Sequence, residues 1–429
     1  MRSRADWIAQ VNDGTQMAGA LAQEFSEVVE LGRKYPIGAF PMSNPRGLRR
    51  WRRAFADALN NPPRILVLGD SLVAGIGSDG NNNSSQADAT ADPYSMPGQL
   101  RKMFAGYFGG NEMGFIHAGD SRNTNGGTVV VSNTTGFIGN PTGTSCGALR
   151  IASGDSITIP TPVCTDIDIF YYESNGANST PTTAAWQHNT DAAGNVAVTN
   201  GGGNNVLKKT TVSSLAATTH SIVISGTAGT DAYIAGIVYY TSAGPGVVVM
   251  RQGLGSATAG DLIGAYTSGT GGAVITTDYI GNTRMKQALT ITEADLAIIM
   301  CGHNDASNQA LAVASTPTNY ATHLSTMITT LTNAGACVLL ISEPDPPVTN
   351  PVAGGHSVRA YWPAMAGLAE DGSHVAYLRI YDLWGDYATA NANLLHTQAA
   401  TTVHCSRMGY GDLARGIFNH LVNSVAPDA

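Results

Sequence analysis

Short, wholly apolar runs that end in glycine or a turn, each followed by a stripe at helical spacing, restrict this chain's fold more than any other feature. Arg64-Ile-Leu-Val-Leu-Gly69 and Leu296-Ala-Ile-Ile-Met300 lack polar alternation, the pattern of strands covered on both faces. Helical stripes follow: Leu100, Met103, Phe104 and Tyr107 after the first, and Tyr320, Leu324, Met327, Ile328 and Leu331 after the second. A strand Cys337–Ser342, a helix starting near Pro363, a strand Val375–Tyr381 and a last helix Met408–Val425 continue the alternation. Strands alternating with helices predict a parallel sheet with helices on both faces. Ahead of the first strand, Leu48, Trp51, Phe55 and Leu59 share one face of a predicted helix over Arg46–Leu59. Five arginines crowd its other sides.

Between about Gly119 and Gly244 the texture changes. Short β-branched or alternating runs, such as Ser156-Ile-Thr-Ile159, Asp166-Ile-Asp-Ile-Phe-Tyr-Tyr172 and Ser221-Ile-Val-Ile224, are punctuated by Gly, Asn, Pro and Thr. That pattern predicts an antiparallel β-sandwich over 120–245, inserted into an α/β domain made of 46–119 and 246–429. Trp186, Tyr171 and Tyr172 are either core aromatics or, if exposed, platforms for sugar rings. Residues 1–45 form a separate N-terminal helical arm, with Leu21, Phe25, Val28, Val29 and Leu31 at helix-like spacing. The arm either packs on its own domain or serves attachment or oligomerisation, to virion partners or to a second copy.

Charged residues make up only 13% of the chain, against an ordinary ~25%, and glycine is abundant at 50 residues. This composition suits a β-rich extracellular or virion-like protein. A net charge of −8 gives no electrostatic reason to expect nucleic-acid binding. Met1–Gly14 carries Arg2, Arg4, Asp6 and Asp13 and lacks the apolar core of a secretion signal. No apolar run approaches the ~18 residues of a membrane span. The expectation is cytoplasmic synthesis followed by use in a virion or outside the cell. Cys146 and Cys164 flank strand-like runs and could pair; Cys301 and Cys405 read as small buried hydrophobes. The loop Asp79–Ser85 lacks the glycine and final acid of a calcium loop and reads as a plain loop.

Three blocks carry chemistry. The first strand runs into Gly69-Asp70-Ser71, the second into Gly302-His303-Asn304-Asp305, and His404 stands just before the last helix. Together they resemble the SGNH (GDSL-type) hydrolase family. The resemblance covers about 62–119 and 246–425 and implies a flavodoxin-like α/β sheet. It also implies Ser71 as nucleophile, His404 as base and Asn304 as oxyanion donor, with no metal or organic cofactor. Asp70 would organise the turn. Further donors would be the main-chain N–H of Ser71 and one from Arg251-Gln-Gly-Leu-Gly-Ser-Ala-Thr258, either Gly255 or Ser256. A serine hydroxyl needs such a base to become nucleophilic, and each oxyanion donor lowers the barrier by ~2.7–4 kcal/mol.

The family's Asp-x-x-His block is altered here, because Thr401 occupies the aspartate position. Three readings stay open. His404 works in a dyad, oriented by Thr401 or a carbonyl; a carboxylate arrives from Asp382, Asp386 or Asp412; or the site has decayed. Asp371-Gly-Ser-His374 matches the block literally but leads into a strand, which puts it at the wrong end of the sheet. His303 replaces a commonly small residue and could line the pocket. The implied function is a serine esterase that removes acyl groups, O-acetyl above all, from a polysaccharide or envelope glycan. Similar arrangements look like tail-associated phage proteins. The rivals are a lipase or thioesterase of the same family, and a non-catalytic tail or adhesin protein on a degenerate scaffold.

Overall fold

A computed structural model describes most of residues 41–423. The gaps are 79–91, 119–129, 133–136, 139–147, 152–153, 174–184, 191–193, 200–205, 228–231, 254–256, 264–289, 308–315, 347–357, 372–373 and 398–402. The expected arm, the Asp79–Ser85 loop, Cys146, Gly255, Ser256 and Thr401 therefore lie outside, apart from the last residues of the arm segment.

The apolar runs form strands where the patterning places them. In chain order the parallel strands are β1 (Arg64–Gly69), β2 (Met113–His117), β3 (Val248–Gly253), β4 (Leu296–Met300), β5 (Cys337–Ile341) and β6 (Val375–Leu378). They lie side by side in the order β2-β3-β1-β4-β5-β6. Leaving out β2, the order from β3 to β6 is that of a flavodoxin-like sheet, with β1 flanked by β3 and β4. Successive residues alternate faces, so Leu66, Leu68, Met250, Ala297, Ile299, Val338 and Leu340 share one apolar layer.

That layer is covered by helices α4 (Ala259–Leu262), α6 (Pro317–Asn333) and α7 (Trp362–Asp371) through Leu262, Tyr320, Leu324, Met327, Leu331 and Met365. Three further helices pack together elsewhere: α1 (Arg49–Ala56), α3 (Met96–Phe108) and α10 (Arg407–Asn423). The Trp51 indole donates to the Leu421 carbonyl at 3.2 Å, and the Phe104 and Phe418 rings meet at 5.1 Å. Short helices α2 (Ser71–Ala74), α5 (His303–Ser307), α8 (Tyr381–Trp384) and α9 (Tyr387–Ala392) fill strand-to-helix turns.

Strand β2 is parallel to β3 on one side and antiparallel to Ala232–Tyr240 on the other. The antiparallel segment thereby extends the same hydrogen-bonded sheet, adding Asp166–Glu173 and Val206–Val212. A second sheet of five strands is built around Ser156–Cys164 and Thr218–Gly226. Ile157, Ile159, Ile222 and Ile224 from it share a core with Ile167, Ile169, Ile234 and Ile237 from the extension.

One expectation here needs correction. The first helix stops at Ala56, because Asn60 and Asn61 donate their side-chain amides to the Asp57 carboxylate and draw the chain into a turn. Leu59 is consequently 64% exposed rather than on the buried face. Of the two readings open for the sandwich aromatics, Tyr171 takes the core one, buried in the shared core, while the side chains of Tyr172 and Trp186 lie outside the described residues. Among the described residues no helix is long and apolar enough to cross a membrane.

Candidate active site

The carboxyl ends of β1, β3, β4 and β5 meet at the place where the sheet's winding reverses, between β1 and β4, the usual location for ligands in such sheets. Gly69 ends β1 against β4. A Cβ there would lie 2.0 Å from the Met300 carbonyl oxygen, so only glycine lets the two strand ends close up. Asp70 then caps α2, its carboxylate accepting from the Leu72 N–H at 2.9 Å. This leaves Ser71 at the first helical position, 8% exposed.

His404 reaches the same point from the other end of the chain. The His396–Cys405 β-bridge and the Thr397 N–H, which donates to the His404 carbonyl at 3.0 Å, fix its backbone ahead of α10. Its Nε2 lies 3.0 Å from the Ser71 hydroxyl oxygen. A nucleophile and a base within hydrogen-bond reach are the minimum for activated serine chemistry. Burial pulls the imidazole down to about 4, with the neighbouring His396 adding to the effect. His404 therefore stays neutral, able to accept a proton, through the whole physiological range. His303 and His396 are held down by burial too, to about 3 and about 4.

The three carboxylates that could have oriented His404 are committed elsewhere. Asp412 accepts from the Trp384 indole at 2.8 Å, Asp382 pairs with Arg379 at 3.0 Å, and Asp386 caps α9 through the Thr389 N–H at 2.9 Å. The literal Asp371…His374 match is remote from Ser71. His374 precedes β6 at the amino edge of the sheet, where Arg49 and Arg50 act on it.

Asn304 sits one residue into α5, and both protons of its amide are used. One goes to Asp70 Oδ2 at 3.0 Å and the other to the Ala257 carbonyl at 3.0 Å. Asp305 accepts from the Ala259 N–H at 2.9 Å, which stitches the loop after β3 to the loop after β4. Arg251, buried on β3, donates to the Ala74 carbonyl at the end of α2, so three loops are tied to one another. Cys301 and Cys405 are fully enclosed beneath the site, and burial raises both thiols well above their ordinary range. They are inert fillers there, as their sequence setting implied.

One buried group has no counterpart in the motifs. Glu343, two residues past β5, acts directly on the Asp70 carboxyl, and its Oε2 accepts from the His303 main-chain N–H. Its segment, Ser-Glu-Pro-Asp-Pro-Pro, reads as an ordinary loop. Its position past an apolar strand end in a parallel sheet was the only available signal.

Residues 225–411 match the model of the GDSL-like lipase/acylhydrolase family. Over that stretch, less than half of its length, the chain is similar to GDSL-type (SGNH) hydrolases. The matched stretch holds Asn304 and His404 and begins downstream of Ser71, which enters the site through the sheet. Among solved structures, one described as a peptidoglycan O-acetylesterase is similar over 90% of this chain and 99% of its own, with a TM-score of 0.61 and 16% identity. A family two carbohydrate esterase from Clostridium thermocellum matches 67% of this chain and 98% of its own at 12% identity, with a TM-score of 0.29. The first likeness is one of fold, and the second is too loose to add to it. No curated protein matches the sequence.

Proposed function

We propose that this protein is a GDSL-type hydrolase that removes O-acetyl groups from a polysaccharide or cell-envelope glycan, with Ser71 and His404 acting as a dyad. The 3.0 Å contact between Ser71 Oγ and His404 Nε2 carries the proposal. Ser71 Oγ attacks the acyl carbonyl carbon while its proton passes to His404 Nε2. The tetrahedral intermediate collapses as His404 returns that proton to the departing sugar oxygen. Water then attacks the acyl-serine, losing a proton to His404, and His404 returns that proton to Ser71 Oγ as the acyl–oxygen bond breaks and acetate leaves.

Asn304 serves the oxyanion by sharing one amide proton between its resting acceptor and the developing charge, with the Ser71 N–H and one of Gly255 or Ser256 as co-donors. The engagement of Asp382, Asp386 and Asp412 with other partners supports a dyad over a triad built on them. The glycan reading draws on the fold likeness to a peptidoglycan O-acetylesterase. Residues 120–245, read as an inserted module, would help hold the polymer.

Ser71→Ala should reduce hydrolysis of a chromogenic acetate ester, and release of acetate from an O-acetylated polysaccharide, by at least ~10³-fold. Unchanged turnover would remove Ser71 from the reaction. Rates that climb from acetate to octanoate esters would favour the lipase reading.

A further inference from the structure

Asp70 has more to do than cap a four-residue helix. Its carboxylate accepts from the Leu72 N–H and from the Asn304 amide, so one side chain positions both the Ser71 turn and the proposed oxyanion donor. Behind it lies Glu343, itself 1% exposed. Glu343 Oε2 accepts from the His303 main-chain N–H, whereas Oε1 meets no donor among the described residues. Two ionised carboxylates in contact, one of them half unsatisfied, would be far too costly at full burial. A neutral Glu343 removes both faults, because its hydroxyl becomes the donor that Asp70 accepts.

We propose that Glu343 is a positioning residue: in its acid form it donates a hydrogen bond to Asp70, and through Asp70 it holds Ser71 and Asn304 in register. Burial drives both carboxyls toward the neutral form, and Asp70 already accepts two hydrogen bonds that favour its charge whereas Glu343 Oε1 has no donor among the described residues, so the proton of the pair resides on Glu343. The chain of contacts is continuous. His303 N–H fixes Glu343, Glu343 fixes Asp70, and Asp70 fixes the Leu72 N–H beside the nucleophile and the Asn304 amide. Gly302, next to the His303 N–H, has a φ of +147°, a backbone conformation that favours glycine. Glu343 need not touch substrate to be felt in turnover, because a displacement of ~1 Å at reacting groups costs ~10²-fold.

The inference rests on Ser71 and His404 being the reacting pair, so the experiment carries Ser71→Ala as a separate control. Acetate-ester kinetics are measured on the full chain for wild type, Glu343→Gln and Glu343→Leu, with thermal melts of each. Gln keeps a donor for Asp70 and an acceptor for His303, and kcat should stay within about threefold of wild type. Leu fills the space without a donor and leaves the His303 N–H unpaired, so its melting temperature should fall while a folded fraction remains to be assayed. Its kcat should fall at least ~10-fold with KM within about threefold, the mark of an interaction used in the transition state. A folded Leu variant with wild-type kcat, or a Gln variant as impaired as Leu, would overturn the proposal.

If Leu fails to fold, the infrared difference between wild type and Glu343→Gln at neutral pH decides. A protonated-carboxyl carbonyl band lost in Gln supports the assignment, and its absence overturns it. Full activity in Ser71→Ala would instead strike down the esterase mechanism and leave the carboxyl pair to be judged by infrared alone.

Discussion

At the scale of single residues, the site holds a base whose pKa is lowered chiefly by desolvation, with His396 adding to it. Family resemblance led to the expectation of a third group behind His404, and Thr401 left that place in question. Asp382, Asp386 and Asp412 are each tied to other partners, and His404 is kept neutral by desolvation down to about 4. Because the pKa is lowered, the proton-accepting form persists until the pH falls through that value. The acid limb of kcat/KM, which reports the free enzyme, should therefore lie near pH 4, not the ~6.5 of an ordinary histidine. Initial rates on a soluble acetate ester from pH 3.5 to 8 check this; a limb near 6.5 would mean that His404 is solvated or carries a carboxylate partner. Ser71, Asn304 and His404 were legible because each closes a recognisable strand-end or helix-start block. Glu343 was not, since its role exists only through contacts with Asp70, 273 positions earlier, and with a main-chain N–H.

At the scale of elements, the strands were legible because full burial leaves no polar residue in β1, β4 or β5 beyond Arg64, which stands at an end. Ends were harder to read. The first helix stops three residues early through a side-chain turn at Asp57, which no hydrophobic spacing records. Strand β6 likewise ends at Leu378, and Tyr381 begins α8 instead of closing the strand. The junction of β1 with β4 is the element-level constraint that matters to the site. Gly69→Ala would drive a methyl group onto the Met300 carbonyl and Val73 Cγ2, at 2.0 and 2.5 Å before relaxation. The strand ends must part, and Asp70 and Asn304 separate with them. A cost of ~2–3 kcal/mol is expected, read as a lower urea midpoint, together with a loss of kcat larger than the change in KM. Wild-type kinetics in Gly69→Ala would show that the junction has slack.

At the scale of the whole molecule, periodicity revealed a β-rich segment between two α/β blocks but not how it is joined. Register between strands distant in sequence is a tertiary fact, and the β2 pairing that turns one sheet into both the parallel scaffold and the antiparallel extension leaves no local trace. A buried ion pair crosses the same junction. Arg64, at the start of the nucleophile strand, meets Asp168 of the extension at 2.8 Å and lies over the Tyr240 ring at 4.7 Å. Asp168 also accepts from Thr211 at 2.7 Å and Tyr240 at 3.3 Å. With one hydrogen-bonded sheet and a shared ion pair, the described 41–423 region should unfold as a unit despite its length. Calorimetry should give one transition whose calorimetric and van't Hoff enthalpies agree. Asp168→Ala leaves the Arg64 guanidinium, 12% exposed, without its counter-charge, and should cost ~3–5 kcal/mol. The cost should shift that single transition as a whole, and the esterase activity should vanish at the same lower temperature as the antiparallel segment's structure. Two transitions in wild type, with only one displaced by Asp168→Ala while activity follows the other, would show that the continuous sheet does not couple the two parts.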